Sequence, residues 1–418
     1  MAIFFDILYL FYAILYFPFL ILRGKWHGGF KERVGFFSSR LKKDFAERQN
    51  IWIHAVSVGE VVAIEGVLRR LQAVYPDKRI VLSVTTKAGY ALAQTKYPHG
   101  IILLRSPLDF SFTARVFVKT IRPMIYIAAE TELWPNLFRQ LESDRVSIMV
   151  INGRISDESY PRYRLAKMIL QGTLRRVRIF CMQSDLDAQR IIALGVLKER
   201  VRTVGNIKFD NAPHFPAPVM KDLGFSDKEL IFVGGSTHPG EEDILLDIFL
   251  SLRGQCPALR LVLAPRHPER SLSIADAVRE KLLIPVLFSK RKDALKKDEV
   301  LILDTIGHLL GFYSIATIVF VGKSLTVKGG HNIIEPALFC KPILIGPHMQ
   351  NFRDVTRAFI TDGAVRQVED AKALHEAVAE LLEKPALRED LGRKASVVVG
   401  KNCGATERTL DCVGEILR

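Results

Sequence analysis

The sequence predicts an α/β protein of two doubly wound, Rossmann-like domains, and three observations carry that expectation. Short apolar runs alternate with amphipathic stretches along the chain, and a Pro-rich interruption falls near its middle. The 418 residues also exceed the roughly 250–300 that one hydrophobic core fills. With 49% hydrophobic and 25% charged residues and no long polar tract, the composition is that of a folded chain.

The runs at 51–56, 79–84, 101–104, 123–129, 146–151 and 177–182 are nearly continuous in apolar residues, as expected of parallel strands covered by helices on both faces. "FDNAPHFPAPVMKDLGFSDKE", 209–229, breaks the alternation with Pro213, Pro216 and Pro218 and reads as a linker. The pattern resumes at 230–235, 259–264, 284–288, 299–303, 317–321 and 341–345 and ends in a helical tail. The expected division is a first domain over 23–211 and a second over 212–418 that includes the C-terminal helices. Ligands are expected in a cleft faced by the carboxyl ends of both sheets.

Residues 1–22, "MAIFFDILYLFYAILYFPFLIL", carry one charge, Asp6, and one breaker, Pro18, so they are long enough to cross a bilayer. Arg23, Lys25, Lys31, Arg33, Arg40, Lys42 and Lys43 follow the apolar run, whereas a cleavable signal puts its basic residues first. The expectation is a retained membrane anchor, with the rest of the chain on the cytoplasmic side and the basic segment against anionic lipid. Tyr9, Tyr12, Tyr16 and Asp6 equally suit a helix lying in the interface. The five cysteines show no C-x-x-C spacing and read as free thiols of a reducing compartment. A net charge of +14 asks for an anionic partner. Basic residues are not interleaved with aromatics, which disfavours nucleic acid and leaves lipid and phosphorylated substrate.

In the first domain, "IWIHAVSVGE", 51–60, runs from a strand into a helix and delivers Glu60 past small Ser57 and Gly59. Glu60 is either a first-turn acid favoured by the helix dipole or a group presented to a ligand. "AAETELWPN", 128–136, ends a strand on Glu130 and Glu132, which suit general acid or base work and equally suit pairing with the many basic residues. "GNIKFD", 205–210, brings an ammonium, Lys208, that can oppose negative charge.

In the second domain, "LVLAPRHPER", 261–270, closes a strand at Pro265 and offers Arg266 for a forked pair with phosphate and His267 for a base or phosphate. "GGSTHPGEE", 234–242, places Ser236 and Thr237 before a helix, as an N-cap or as ligand contacts. In "GKSLTVKGGHNIIEPALFCKPILIGP", 322–347, Asn332 is placed to cap a helix whose free N–H groups favour a phosphate. Glu335 then suits two ribose hydroxyls or acts as an ordinary first-turn acid. Gly322-Lys323-Ser324 does not complete a Walker motif, because Thr317 stands where its first glycine belongs. Neither domain opens with G-x-G-x-x-G, and no metal-ligand spacing is present, so neither a cofactor nor a metal is expected.

Taken together, "KERVGF", "HAVSVGE", "ETELWPN", "NGRIS", "GNIKFD", "GSTHPGEE", "PRHPER", "GGHNIIEP" and "GPHMQNF" resemble, in order and almost end to end, the 3-deoxy-D-manno-octulosonic acid (Kdo) transferases of Gram-negative lipopolysaccharide synthesis. The resemblance implies a GT-B glycosyltransferase fold, a CMP-Kdo donor, no metal, and a lipid A precursor as acceptor at the cytoplasmic face of the inner membrane. It further implies that Glu60 is the catalytic base and that Glu130 and Lys208 support the transition state. CMP is placed against Pro265 and Arg266, the turn Ile306, Gly307 and His308, and Asn332, Ile333, Ile334 and Glu335. One position departs from the family, which has a second glycine where this chain has Lys323. The competing expectations are a uridine-nucleotide glycosyltransferase or epimerase of the same fold, and a non-catalytic membrane scaffold.

Overall fold

The computed structural model describes residues 5–7, 9–11, 29–211, 225–226, 228–291 and 295–418. They form two units, one of residues 1–211 with 402–418, the other of residues 212–401. Each is built on a parallel sheet.

In the first unit the strands are β1 (Asn50–Ala55), β2 (Arg79–Val84), β3 (Ile101–Arg105), β4 (Pro123–Ala129), β5 (Ser147–Gly153), β6 (Val177–Met182) and β7 (Val201–Thr203), in the order β3-β2-β1-β4-β5-β6-β7. Both faces are covered: Ile51 and Ile53 point into one apolar cluster with Val67, Leu68 and Leu71, while Trp52 points into another with Phe117, Tyr126 and Phe138. That two-sided burial explains why β1 shows no polar alternation. The direction of winding reverses between β1 and β4, so the loops after these two strands open at the sheet's switch point.

In the second unit β8 (Leu230–Thr237), β9 (Leu259–Pro265), β10 (Ile284–Leu287), β11 (Glu299–Ile302), β12 (Ile318–Val321), β13 (Ile343–Ile345) and β14 (Arg366–Gln367) are ordered β10-β11-β9-β8-β12-β13-β14. The switch point here lies between β8 and β12. The short strands β7 and β14 extend the sheets beyond the runs expected from sequence, since a span of two or three residues carries no readable period.

The expected second domain, 212–418, is corrected at its C-terminal end. Helix Ala405–Leu417 buries Ala405, Leu410, Cys412 and Val413 in the same cluster as Ile51, Ile53 and Ile127 of the first unit. The Asp210 carboxylate holds its start, accepting the N–H groups of Gly404 at 2.6 Å and Thr406 at 2.5 Å. Arg408 Nε donates to the Val204 carbonyl at 2.8 Å. An amphipathic pattern reports that a helix has an apolar face, not which sheet that face covers.

Most of the expected anchor, 1–22, and of the expected linker, 209–229, lies outside the described residues. Within the anchor, residues 5–7 and 9–11 are helical. Asp6 there accepts hydrogen bonds from Ser111 N at 2.8 Å and Asn136 Nδ2 at 3.0 Å, so its charge is matched by protein donors. Among the described residues no helix is long and apolar enough to cross a membrane.

Asp210→Ala removes both acceptors at the start of the C-terminal helix and is expected to destabilise the first unit by about 1–2 kcal/mol, the scale of a lost helix cap. Thermal melting, followed with hydrogen exchange over 402–418, checks this: an unchanged midpoint and unchanged protection would refute it.

Candidate functional site

Each unit gathers polar groups at the carboxyl ends of its strands. In the first, β1 runs into helix Val58–Ala63, and Ser57 caps it with its hydroxyl accepting from Glu60 N. The Glu60 side chain folds back on the cap: Oε2 accepts from Val56 N at 2.6 Å and Oε1 from Ser57 Oγ at 3.0 Å. This is the reciprocal logic of a capping box, with the acid reaching one residue further upstream. Glu60 is therefore a first-turn acid as well as a candidate base. It is only 5% exposed. Burial pushes its carboxyl up from 4.5 to about 8 against the pull of the Val56 hydrogen bond, and the charges of Glu130 and Glu132 push the same way.

Glu130 follows β4 with φ 55°, a left-handed conformation that costs a non-glycine residue roughly 1–2 kcal/mol. Its N–H donates to Ile151 O at 2.8 Å, which holds that turn. Its carboxylate lies 3.6 Å from Lys208 Nζ. Glu132 is held above the usual carboxylate range by burial and by Glu130. Lys208 is positioned by an amide relay: its N–H donates to Asn206 Oδ1 at 3.0 Å, Asn206 Nδ2 to Gln183 Oε1 at 3.0 Å, and Gln183 Nε2 to Asn152 O at 2.9 Å. The first unit thus brings Glu60, Glu130 and Lys208 together.

Beneath this group lies His54, unassigned by sequence reasoning. Ser83 Oγ accepts from Trp52 Nε1 at 2.8 Å and lies 2.9 Å from His54 Nδ1. Burial, aided by Arg33, pushes the imidazole down to about 3. It is a neutral core histidine with an aromatic wall of Trp134 at 5.3 Å.

In the second unit Pro265 ends β9, and Arg266 N donates to Thr237 O at 3.1 Å. The Arg266 charge acts on both Glu335 and His331. Asn332 does not cap the helix it precedes. The helix is Ile334–Leu338, its N-cap is Ile333, and Asn332 Oδ1 accepts from Ile334 N at 3.1 Å while Nδ2 donates to Glu335 Oε1 at 3.2 Å. Five residues make a short dipole, and its first N–H is already engaged, so this N-terminus offers less to an anion than the sequence implied. Burial holds the Glu335 carboxyl above its ordinary range. Ile306 is 86% exposed, Gly307 has φ 98°, and His308 starts helix Leu309–Ile315 with its ring 4.8 Å from that of Phe288. Ser236 and Thr237 are not an N-cap either. Gly240, at φ 86°, precedes helix Glu241–Leu252.

Glu241 was missed as a determinant. Its buried carboxylate accepts four backbone N–H groups: His238 at 2.9 Å, Lys323 at 2.8 Å, Ser324 at 3.0 Å and Leu325 at 3.1 Å. It ties the loop after β8 to the loop after β12 and leaves a carboxylate fully matched by donors. In sequence it is one of three adjacent acids at a helix start, with Glu242 and Asp243.

A sequence profile described as 3-Deoxy-D-manno-octulosonic-acid transferase (kdotransferase) matches residues 28–211. The 3-deoxy-D-manno-octulosonic acid transferase of Haemophilus influenzae is 34% identical over 385 residues, which cover 91% of this chain and 89% of that protein. The chain belongs to the Kdo transferase family. It is accordingly a glycosyltransferase. A Bifunctional glycosyltransferase/methyltransferase of Fusobacterium nucleatum is also 34% identical, over 82% of this chain, and the chain spans about half of that longer relative, 54%. Among solved structures, UDP-GlcNAc 2-epimerase from Neisseria meningitidis bound to UDP-GlcNAc aligns over 88% of this chain and 100% of that chain, with a TM-score of 0.57 and 11% identity. That likeness is one of fold, the two-sheet GT-B type.

Against the family pattern, Lys323 occupies its position with φ 57°. Its carbonyl accepts from Gly330 N at 2.6 Å, and a Cβ on Gly329 would stand 2.7 Å from Lys323 Cε. The lysine stem thus lies over Gly329, which keeps it on the loop after β12.

A raised carboxyl pKa means that the folded state holds the Glu60 proton more tightly than the unfolded state. The resulting destabilisation is absent below the unfolded value near 4.5 and grows until pH passes about 8. Glu60→Gln should therefore melt above wild type at pH 8 and with it at pH 4. A stabilisation that does not vary with pH would contradict the assignment.

Proposed function

We propose that this chain transfers Kdo from CMP-Kdo to a sugar hydroxyl of the lipid A precursor in one inverting, metal-independent displacement, with Glu60 as general base. The observation that carries the reading is the buried Glu60 carboxyl at the switch point of the first sheet, beside the Glu130–Lys208 pair. A carboxyl raised to about 8 is, once ionised, a stronger base than an exposed glutamate, and it sits close to working pH. Glu60 removes the acceptor hydroxyl proton as that oxygen attacks the anomeric carbon of Kdo, and the bond to the CMP phosphate breaks with its electron pair on the phosphate oxygen. Burial keeps Glu60 basic, Glu130 adds to this by repulsion, and Lys208 limits that repulsion through its ion pair.

The donor is assigned to the second unit, at Pro265, Arg266, His267, the turn 306–308 and 332–335. Arg266, Lys323 and Arg270 supply positive charge to the departing phosphate, which is why the reading requires no metal. Glu335 has a carboxylate oxygen for a ribose hydroxyl, and the Phe288–His308 pair offers an aromatic surface to the base.

The acceptor is a lipid, and the chain is placed at the cytoplasmic face of the inner membrane. Helices Tyr160–Leu165 and Lys167–Leu174 support that location, with Leu165 91% and Met168 89% exposed among Arg162, Arg164 and Lys167. The expected apolar anchor adds to it.

Purified protein incubated with CMP-Kdo and tetra-acylated lipid A precursor should yield an acceptor heavier by whole Kdo units on mass spectrometry. Competition by UDP but not CMP would instead favour a uridine-nucleotide enzyme. Glu60→Gln should lower transfer by about 10²–10⁴-fold, the contribution of a positioned base, while still binding CMP. Unimpaired transfer by that variant would remove Glu60 from the mechanism.

Lys208→Ala should move the ascending limb of the pH–kcat/KM profile to higher pH, because the unpaired Glu130 charge then raises Glu60 further. An unshifted limb would mean that the pair does not tune the base.

A further inference from the structure

Three histidines reach one place in the second unit from three separate loops: His238 after β8, His267 after β9 and His331 after β12. Nε2 of His238 and Nε2 of His331 lie 3.2 Å apart, with the rings inclined by 25° and their centroids at 5.4 Å. His267 stands edge-on to His238 at 6.0 Å. A hydrogen bond between two imidazole nitrogens contains a single hydrogen, so one ring carries Nε2–H and the other presents its Nε2 lone pair and carries Nδ1–H. The lone pair left over is Nδ1 of the first ring.

The groups that face this pair are mostly cationic. Arg266, His267 and Arg270 approach from the loop after β9, and Lys323 from the loop after β12. Glu242 faces His238 but is already forked to Arg270 at 2.8 and 3.2 Å. Glu269 lies on His267 Nδ1 at 3.4 Å, and Glu335 acts on Arg266. Burial first, and then the charges of Arg266, Arg270 and Lys323, push His331 down to about 3 and hold His238 below its ordinary value. The pair is thus neutral while nothing anionic is present, in surroundings that an anion would reverse.

We propose that the His238–His331 pair is a proton-coupled anion site, which binds an anionic group of the nucleotide sugar and takes up a proton as it does so. This rests on the assignment of the donor to the second unit. The proton comes from solvent and binds the remaining Nδ1 lone pair. The pair then carries a positive charge shared through the Nε2–H···Nε2 bond and presents an Nδ1–H on each ring. The anion is either the phosphate or the carboxylate of the sugar. In both cases affinity is highest below the pKa of the occupied pair and falls as pH rises through it.

Titration calorimetry at pH 7 in two buffers of different ionisation enthalpy tests this with cytidine, CMP and CMP-Kdo. Wild type should take up about one proton with the anionic ligand, and none with cytidine. Uptake already present with CMP assigns the phosphate, and uptake that appears only with CMP-Kdo assigns the carboxylate. His331→Gln, and separately His238→Gln at the more open ring, should lose that uptake and bind the same ligand roughly ten- to a hundredfold more weakly. Because uptake is read as wild type minus variant, ionisation of the nucleotide itself cancels. Binding without any difference in uptake overturns this inference alone, whereas failure of wild type to bind either nucleotide overturns the donor assignment with it.

Discussion

A carboxylate removed from water must be matched by donors or must keep its proton, and the loops of both units are organised around that requirement. Glu241 meets it completely. Its two oxygens gather backbone N–H groups from two loops that are more than eighty residues apart in sequence, so the loop that carries Lys323 and the loop that carries His238 share one anchor. Glu60 meets it only in part. It has two donors, Val56 N and Ser57 Oγ, and two acidic neighbours, and the imbalance leaves a group that holds its proton near neutrality. One buried acid therefore builds a loop, and the other is left able to exchange a proton.

This contrast shows how far residue types alone can go. β1 was readable because Ile51, Trp52 and Ile53 leave neither face polar, and Glu60 was readable because an acid in the first turn after such a strand stands at a sheet's carboxyl end. Its proton affinity was not readable. That depends first on burial and then on the charges of Glu130 and Glu132, about seventy residues away, which become neighbours only when β4 pairs with β1. Likewise "GGSTHPGEE" displays Glu241 beside Glu242 as equivalent first-turn acids, yet one gathers backbone donors and the other pairs with Arg270. Asn332 was read as a cap from its residue type, and it does hold a backbone N–H, but Ile333 opens the helix because the side-chain bond forms an Asx-type turn one residue earlier. The histidines at 238, 267 and 331 are scattered in sequence and meet only because β9, β8 and β12 are adjacent in the sheet.

The helix Ala405–Leu417 adds a constraint of a different kind. Because it packs with residues of β1 and β4, the first unit is discontinuous in sequence and the second is an insertion within it. During synthesis the second unit has all of its residues before the first has its last. Until residues 402–418 emerge, the surface that receives Val413 and Leu410 stays open to water or to a chaperone. The second unit can form its donor loops before residues 402–418 are made, whereas the apolar cluster beneath one face of the first sheet closes only once they are, so the first unit is the later of the two to be sealed.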